Sequence, residues 1–502
     1  MLYNSTENKN EVVSASQAIA QGISKDGGLF VPQELPEYDL ETIKSLLPLG
    51  YKGIAKKVFS DFLCDFTAEE IEDCVEKAYT SEKFGSENPA PIAYKNYNGN
   101  DISVLELWHG PTCAFKDMAL QILPHLLTKS LKKTNDGKDA VILVATSGDT
   151  GKAALEGFRD VEHTKIIVFY PVDGVSPMQK HQMNTQEGSN VKVCAIEGNF
   201  DDAQTGVKKI FTTPGISAQL ENNNMMFSSA NSINWGRLLP QIVYYIAAYC
   251  EMVNDGKISL GDKINVVVPT GNFGNILASY YAFCMGLPVN KFICASNSNN
   301  VLTDFINTGV YDKNRQFYTT ISPSMDILVS SNLERLLYKL SGDSDTTVKE
   351  WMTALKSEGK YEVTPEVKDA VKTSFYGGCC DDNATKATIK KMFDEQGYLC
   401  DTHTAVAVAV YDKYVSETGD KTPVLIASTA SPYKFSKAVL EAVNNGKNLP
   451  DSEFDMVDLL NDITKADIPN PLLSLKNKKS RFSDVIKVDE MPDYVLKALG
   501  VK

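Results

Sequence analysis

INVVVPTGNFGNILASYYAFCMG, residues 264–286, decides the fold. Ile264 to Val268 form a short, β-branched and nearly unbroken apolar run, the signature of a strand covered on both faces. Gly271, Asn272, Phe273, Gly274 and Asn275 then break the run, and an apolar helical stretch follows. A strand that feeds a helix through a glycine turn is the repeating unit of a parallel sheet. The same pattern recurs in AVILVAT (140–146), KIIVFYP (165–171), KFICASN (291–297) and TPVLIAST (422–429). The fold class expected is therefore α/β, with parallel-sheet domains and helices on both faces. Ligands of such sheets gather at the carboxyl ends of the strands.

Three loops fall at those ends. In the first, at 271–275, two glycines let the backbone turn tightly and aim its N–H groups at one point, beside the positive end of the next helix. The spacing is not G-x-G-x-x-G, and a single phosphate suits it better than a pyrophosphate. The second is ATSGDTGKAALEGF (145–158). Ser147, Gly148, Asp149 and Thr150 offer hydroxyls, amides and a helix start to an anion; equally, Asp149 or Thr150 serves simply as a helix cap. A P-loop is excluded, because Thr146 and Ala153 stand where it needs Gly and Ser or Thr. The third is LELWHGPTCAFKDMALQILPHLL (105–127), with Lys116 at the start of an amphipathic helix. A lysine there is either a solvated surface residue or, drawn inside by Phe115 and Met118, an amine whose pKa the helix terminus lowers. A lysine of lowered pKa together with a one-phosphate loop is what pyridoxal phosphate requires.

The rest of the chain bounds these readings. Its 502 residues carry 50 Lys and Arg against 64 Asp and Glu, a formal charge of −14. That charge argues against nucleic-acid partners. No apolar run approaches the ~20 residues of a membrane span, and MLYNSTENKNEVV does not read as a signal peptide. A soluble protein of the cytoplasm, without a membrane or nucleic-acid partner, is expected. The ten cysteines include no C-x-x-C pair and there are five histidines, so no metal site is expected and free thiols are; Cys379 and Cys380 are the pair to watch for oxidation. Residues 1–90 read as a mostly helical amino-terminal domain, 91–330 as an α/β core of two subdomains, 331–400 as a helical insertion, and 401–502 as the last core strand and a tail.

HGPTCAFKDMALQ, ATSGDTGKAA and VPTGNFGNILA, in this order, resemble the threonine synthase family, fold-type II pyridoxal-phosphate enzymes built like the tryptophan synthase β subunit. YNSTEN…ASQAIAQGISKDGGLFVPQELP is similar to the family's amino-terminal signature, NSINWGRLLPQIVYYI to an internal block, and STASPYKFSKAV, less closely, to its carboxyl-terminal loop. The likeness covers nearly the whole chain and is to the longer form of the family.

The resemblance implies that Lys116 holds pyridoxal 5'-phosphate as a Schiff base, that Gly271, Asn272, Phe273 and Asn275 cradle its phosphate, and that Thr429 meets the pyridine nitrogen. It implies that Ser147, Gly148, Asp149 and Thr150 face the substrate, joined by Asn231, Asn234 and Arg237, unless these only cap the helix that follows. The implied reaction turns O-phospho-L-homoserine and water into L-threonine and phosphate, in a monomer or homodimer. A related phospholyase or a threonine or serine dehydratase, giving a keto acid and ammonia, is the alternative, and a catalytically silent relative the third. Two departures stand out. The family opening S-T-R reads Ser5-Thr6-Glu7 here, and T-A-H-P-A-K-F reads Thr429-Ala430-Ser431-Pro432-Tyr433-Lys434-Phe435.

Overall fold

The computed structural model describes all residues except 135, 136, 147, 174, 448 and 502, and all but the side chains of 201 and 212. The chain opens with strands β1 (Leu2–Ser5), β2 (Asn8–Ser14) and β3 (Phe30–Pro32), which pair antiparallel in the order β2-β1-β3. The first ninety residues thus hold a small sheet as well as helices. Its middle strand buries Tyr3, whose hydroxyl donates to the Phe62 carbonyl at 2.9 Å.

Next come β4 (Ile92–Tyr97), β5 (Asn100–Glu106), β6 (Asp139–Ala145), β7 (Thr164–Pro171), β8 (Val191–Glu197), β9 (Met225–Ser228), β10 (Ile264–Pro269) and β11 (Val289–Ser296). They are followed by the pair β12 (Val310–Asp312) and β13 (Lys360–Glu362), then β14 (Phe375–Cys379), β15 (Val424–Ser428) and β16 (Val485–Lys487). One sheet runs β16-β8-β7-β6-β9, all parallel. The other runs β14-β11-β10-β15-β5-β4, parallel but for β4. Every apolar run singled out in the sequence is one of these strands. The stretch 331–400 is mostly helical and also supplies β14 to the larger sheet, through the glycine-containing run Phe375–Cys379.

The sheet order positions the chemistry. β10, β15 and β5 are neighbours, so the turns that follow them, at Gly271, Thr429 and Lys116, emerge side by side at carboxyl ends. A bridge between Ala114 and Ala430 and the bond from the Phe115 N–H to the Thr429 carbonyl (2.8 Å) stitch the last two together.

The amino-terminal sheet is tied to the helix Leu333–Leu340 through buried polar groups. The Thr6 hydroxyl donates to Glu334 and accepts the Leu29 N–H at 2.8 Å. Glu7, the departure from the family opening, is buried with its carboxylate 3.6 Å from Lys356. Burial first, with the charge of Glu7 adding to it, raises Glu334 from 4.5 to about 7. The folded chain therefore holds a proton that the unfolded chain releases, and this contribution to stability is lost as pH rises from about 4.5 through about 7. Glu334→Gln should consequently raise the urea midpoint at pH ~8 and leave it nearly unchanged at pH ~5; equal effects at both pH values would refute the assignment.

Candidate active site

Lys116 sits where β5's exit loop turns into a single helical turn, Asp117–Leu120. The loop is folded by Asp117, which accepts the Thr112 N–H at 2.8 Å and the Thr112 hydroxyl at 2.7 Å. A methyl group on Gly110 would stand 2.5 Å from Asp117 Oδ2 and 2.6 Å from its Cβ, so a larger residue there would push Asp117 out of place. Burial raises Asp117 to about 6, against the pull of Thr112 and Lys434.

The Lys116 side chain is buried, with its Nζ 4.9 Å from the centre of the Phe115 ring and 3.8 Å from Asp149 Oδ2. Its pKa falls to about 8, mainly through burial; Asp149 opposes the fall while Lys434 and Arg237 add to it. Proximity to a helix start predicts the direction correctly. The stronger cause is desolvation, because the helix at Lys116 is only one turn long.

Asp149 is the electrostatic centre of the site. Its Oδ1 accepts Lys434 Nζ at 2.6 Å and Gln179 Nε2 at 3.0 Å. Burial disfavours its charge, but Lys434 and Lys116 more than compensate and hold the carboxyl well below the usual range. Lys434 itself is fully buried and also donates to the Thr112 carbonyl at 2.9 Å. Lys434 is one of the cations the sequence offers to a substrate phosphate, whereas Gln179 is not among the residues it points to. Gln179 reads there only as the third residue of a helix capped by Ser176.

The loop after β6 divides its groups. Ser147 lies outside the described residues. Gly148 has φ 145°, and any side chain there would strike Gln179. Its N–H, like that of Gly151, donates to the Thr146 hydroxyl at 3.0 Å and so holds the loop closed rather than facing a ligand. Thr150 is half-buried at the helix start.

The turn after β10 has Phe273 at φ 62°, which frees the start of helix Gly274–Cys284. Asn275 is buried; its Oδ1 accepts the hydroxyls of Tyr244 (2.8 Å) and Tyr245. Its Nδ2 is buried with no partner among the described residues. A buried amide donor without an acceptor, at a helix start beside a glycine turn, fits a cofactor phosphate. The turn is held from outside: Ser330 donates to the Gly271 carbonyl at 2.7 Å, and Asn332 N–H and Nδ2 donate to the Asn272 carbonyl at 3.0 and 3.1 Å. Arg335, wholly buried, braces Asn332 Oδ1 (2.5 Å) and reaches the carbonyls of Phe30 (3.0 Å) and Ile233 (2.6 Å). Thr429, buried at the end of β15, makes no side-chain hydrogen bond among the described residues, which leaves its hydroxyl for a ring nitrogen.

The block 231–237 is mixed. Asn234 caps helix Trp235–Asn254, accepting the Gly236 N–H at 2.9 Å and donating to the carbonyls of Ile19 (3.0 Å) and Ser229 (2.9 Å). Its amide is thereby spent on the backbone. Arg237 donates to the Ala230 carbonyl at 2.7 Å, and its buried Nε has no partner among the described residues. Burial lowers its pKa to about 10. Asn231 is exposed. Of the departures in the carboxyl-terminal loop, Tyr433 carries its hydroxyl to the Ala466 carbonyl, and Ser431 is bound through its N–H to the Cys113 carbonyl at 3.0 Å. Among the described residues neither side chain is hydrogen-bonded to Lys116.

With the geometry in view, comparison with known proteins is direct. Residues 2–79 match the family model described as threonine synthase N terminus, 87–429 that of pyridoxal-phosphate dependent enzymes, and 404–495 that of threonine synthase, C-terminal. Human threonine synthase-like 1 is 40% identical over 438 residues, covering 85% of this chain and 58% of that protein. This chain thus spans under three-fifths of the length of that relative. Threonine synthase of Saccharomyces cerevisiae is 35% identical over 473 residues, covering 89% of this chain and 90% of its own. The pyridoxal-phosphate-bound threonine synthase structure from Brucella melitensis superposes with a TM-score of 0.87 at 34% identity, with 99% of each chain covered.

Proposed function

The chain belongs to the threonine synthase family of pyridoxal-phosphate-dependent enzymes, and from that premise we propose that it converts O-phospho-L-homoserine and water into L-threonine and phosphate. The observation that carries the reading is the buried Lys116, with a pKa near 8, at the point where the turns after β5, β10 and β15 converge. Pyridoxal phosphate, when bound, supplies an electron sink for negative charge developing at the substrate Cα. Gly271, Asn272, Phe273 and Asn275 would hold its phosphate, Thr429 its ring nitrogen, and Lys116 its aldehyde carbon.

The chain's own groups do the proton work. An amine of pKa about 8 is partly uncharged at neutral pH, so Lys116 can take the Cα proton, then a Cβ proton, and later return one to Cα. Phosphate departs from Cγ, which regains a proton, and the hydroxyl of water joins Cβ. Asp149 keeps Lys434 and Lys116 in place and limits their mutual repulsion. Arg237, whose Nε has no partner among the described residues, and Lys434 are the cations offered to the substrate phosphate in a chain of charge −14. The dry surroundings of Lys116 restrict water to what the reaction consumes.

No described helix is long and apolar enough to cross a membrane. All ten cysteines are free thiols, which supports a cytoplasmic setting, where the chain would act as a monomer or homodimer. The test is a product assay on the purified protein with pyridoxal phosphate and O-phospho-L-homoserine, following threonine, 2-oxobutyrate and phosphate together. Threonine and phosphate should appear one for one. Phosphate with 2-oxobutyrate would replace the synthase by a phospholyase, and no phosphate at all would overturn both.

A further inference from the structure

The buried pair Asp401–His403 lies outside the groups used so far. Asp401 caps helix Thr402–Thr418; its Oδ1 accepts both the His403 N–H (2.8 Å) and His403 Nδ1 (2.9 Å), and its Oδ2 accepts the Thr404 hydroxyl. Both side chains are almost completely shielded from solvent. A carboxylate can only accept, so Nδ1 carries the proton and Nε2 presents a lone pair. That lone pair receives the Ser324 N–H at 3.2 Å.

From this one pair, contacts run to three edges of the cleft. Ser324 lies in the turn Pro323–Met325, and its carbonyl would stand only 2.6 Å from a methyl group on Gly271, so this turn is the outer wall of the phosphate loop. The Thr404 hydroxyl pairs with that of Ser428 at 3.0 Å, and Ser428 also accepts Trp108 Nε1 at 3.1 Å. Ser428 is the residue before Thr429. Finally, the His403 ring packs on Phe435 with centroids 4.8 Å apart, and Phe435 follows Lys434.

We propose that His403, held by Asp401 in the tautomer with its proton on Nδ1, is a positioning residue that fixes the phosphate end of the cleft relative to Thr429 and Lys434. It touches neither cofactor nor substrate. It acts by holding the Ser324 turn against Gly271, so that the turn, the Asn275 amide and the ring-nitrogen partner keep the spacing a single bound cofactor needs. The inference rests on the pyridoxal-phosphate reading of the site.

Two substitutions separate positioning from packing. Asparagine can still donate to Asp401 but is too short to offer an acceptor to the Ser324 N–H; glutamine reaches that N–H with its amide oxygen. The full chain should be titrated with pyridoxal phosphate by fluorescence, the bound phosphate observed by phosphorus NMR, and the melting temperature of each apoprotein recorded. His403→Asn should weaken cofactor binding by about ten-fold or more, as expected for a stranded donor, and shift the phosphorus resonance. His403→Gln should stay within about three-fold of the parent. Equal affinities in the two variants, or a greater loss in His403→Gln, would overturn the proposal whatever the melting temperatures. Failure of the unaltered chain to bind pyridoxal phosphate would instead remove the functional reading beneath it.

Discussion

With Lys116 replaced by alanine, threonine formation from O-phospho-L-homoserine should fall by at least about a thousand-fold. The size follows from the number of tasks one amine performs. On the proposed reading it would attach the cofactor, take a proton at Cα, take another at Cβ and return one at Cα, and the other amine paired with Asp149 among the described residues is Lys434. Lys434, the nearest alternative, is fixed to Asp149 at 2.6 Å and to the Thr112 carbonyl. Lys116→Arg should not rescue, because a guanidinium stays charged and offers no lone pair. Folding should be spared: Asp149 keeps Lys434 and Gln179, and no buried group loses its only partner. Pyridoxal phosphate should still bind through the turn at Gly271 but no longer be trapped by borohydride. The measurement is the steady-state product assay beside a thermal melt. A loss below about ten-fold, with the melt unchanged, would assign the proton transfers to another group.

What the sequence makes legible here is local. Each apolar run that reads as a strand is one, since a strand buried on both faces has little choice but a continuous β-branched pattern. The turns that follow those strands could be picked out because glycine, asparagine and a lone lysine are conspicuous there. The amino-terminal sheet was harder, because NKNEVVS shows mostly polar residues and its burial depends on what packs against β1. Long-range partners left no trace at all. Lys434 meets the Thr112 carbonyl across 322 residues, and nothing in either neighbourhood announces the other. Asn234 can be read as substrate contact or cap with equal justice; in the folded chain its oxygen accepts the Gly236 N–H while its amide donates to the carbonyls of Ile19 and Ser229, neither of which its own neighbourhood announces. The same holds for Tyr433, which looked like a change at the cleft and instead reaches Ala466.

The Asp149–Lys434 pair should give the second large effect, and in a way that distinguishes a buried ion pair from two independent contacts. Asp149→Ala leaves Lys434 fully buried with, among the described residues, only the Thr112 carbonyl for company, and should cost about 3–5 kcal/mol of stability. Lys434→Met leaves Asp149 with Gln179 at 3.0 Å and Lys116 at 3.8 Å, so its cost should be smaller. The double variant removes both charges and should be more stable than Asp149→Ala alone, as buried pairs replaced by apolar side chains often are. The two single variants should also move Lys116 in opposite directions. Without Asp149 the repulsion from Lys434 and Arg237 is opposed only by the weaker pull of Asp117 and the amine's pKa drops below about 8; without Lys434 the attraction to Asp149 faces less repulsion and it rises. Uptake of pyridoxal phosphate by the apoprotein needs the neutral amine, so its rate-against-pH curve should shift to lower pH in Asp149→Ala and to higher pH in Lys434→Met. Activity should fall by about a hundred-fold in Asp149→Ala, where Lys116 loses its anchor. Urea midpoints for the three variants and stopped-flow uptake across pH decide the matter. Strictly additive losses in the double variant, or pH shifts of the same sign, would mean that Asp149 and Lys434 act on Lys116 separately.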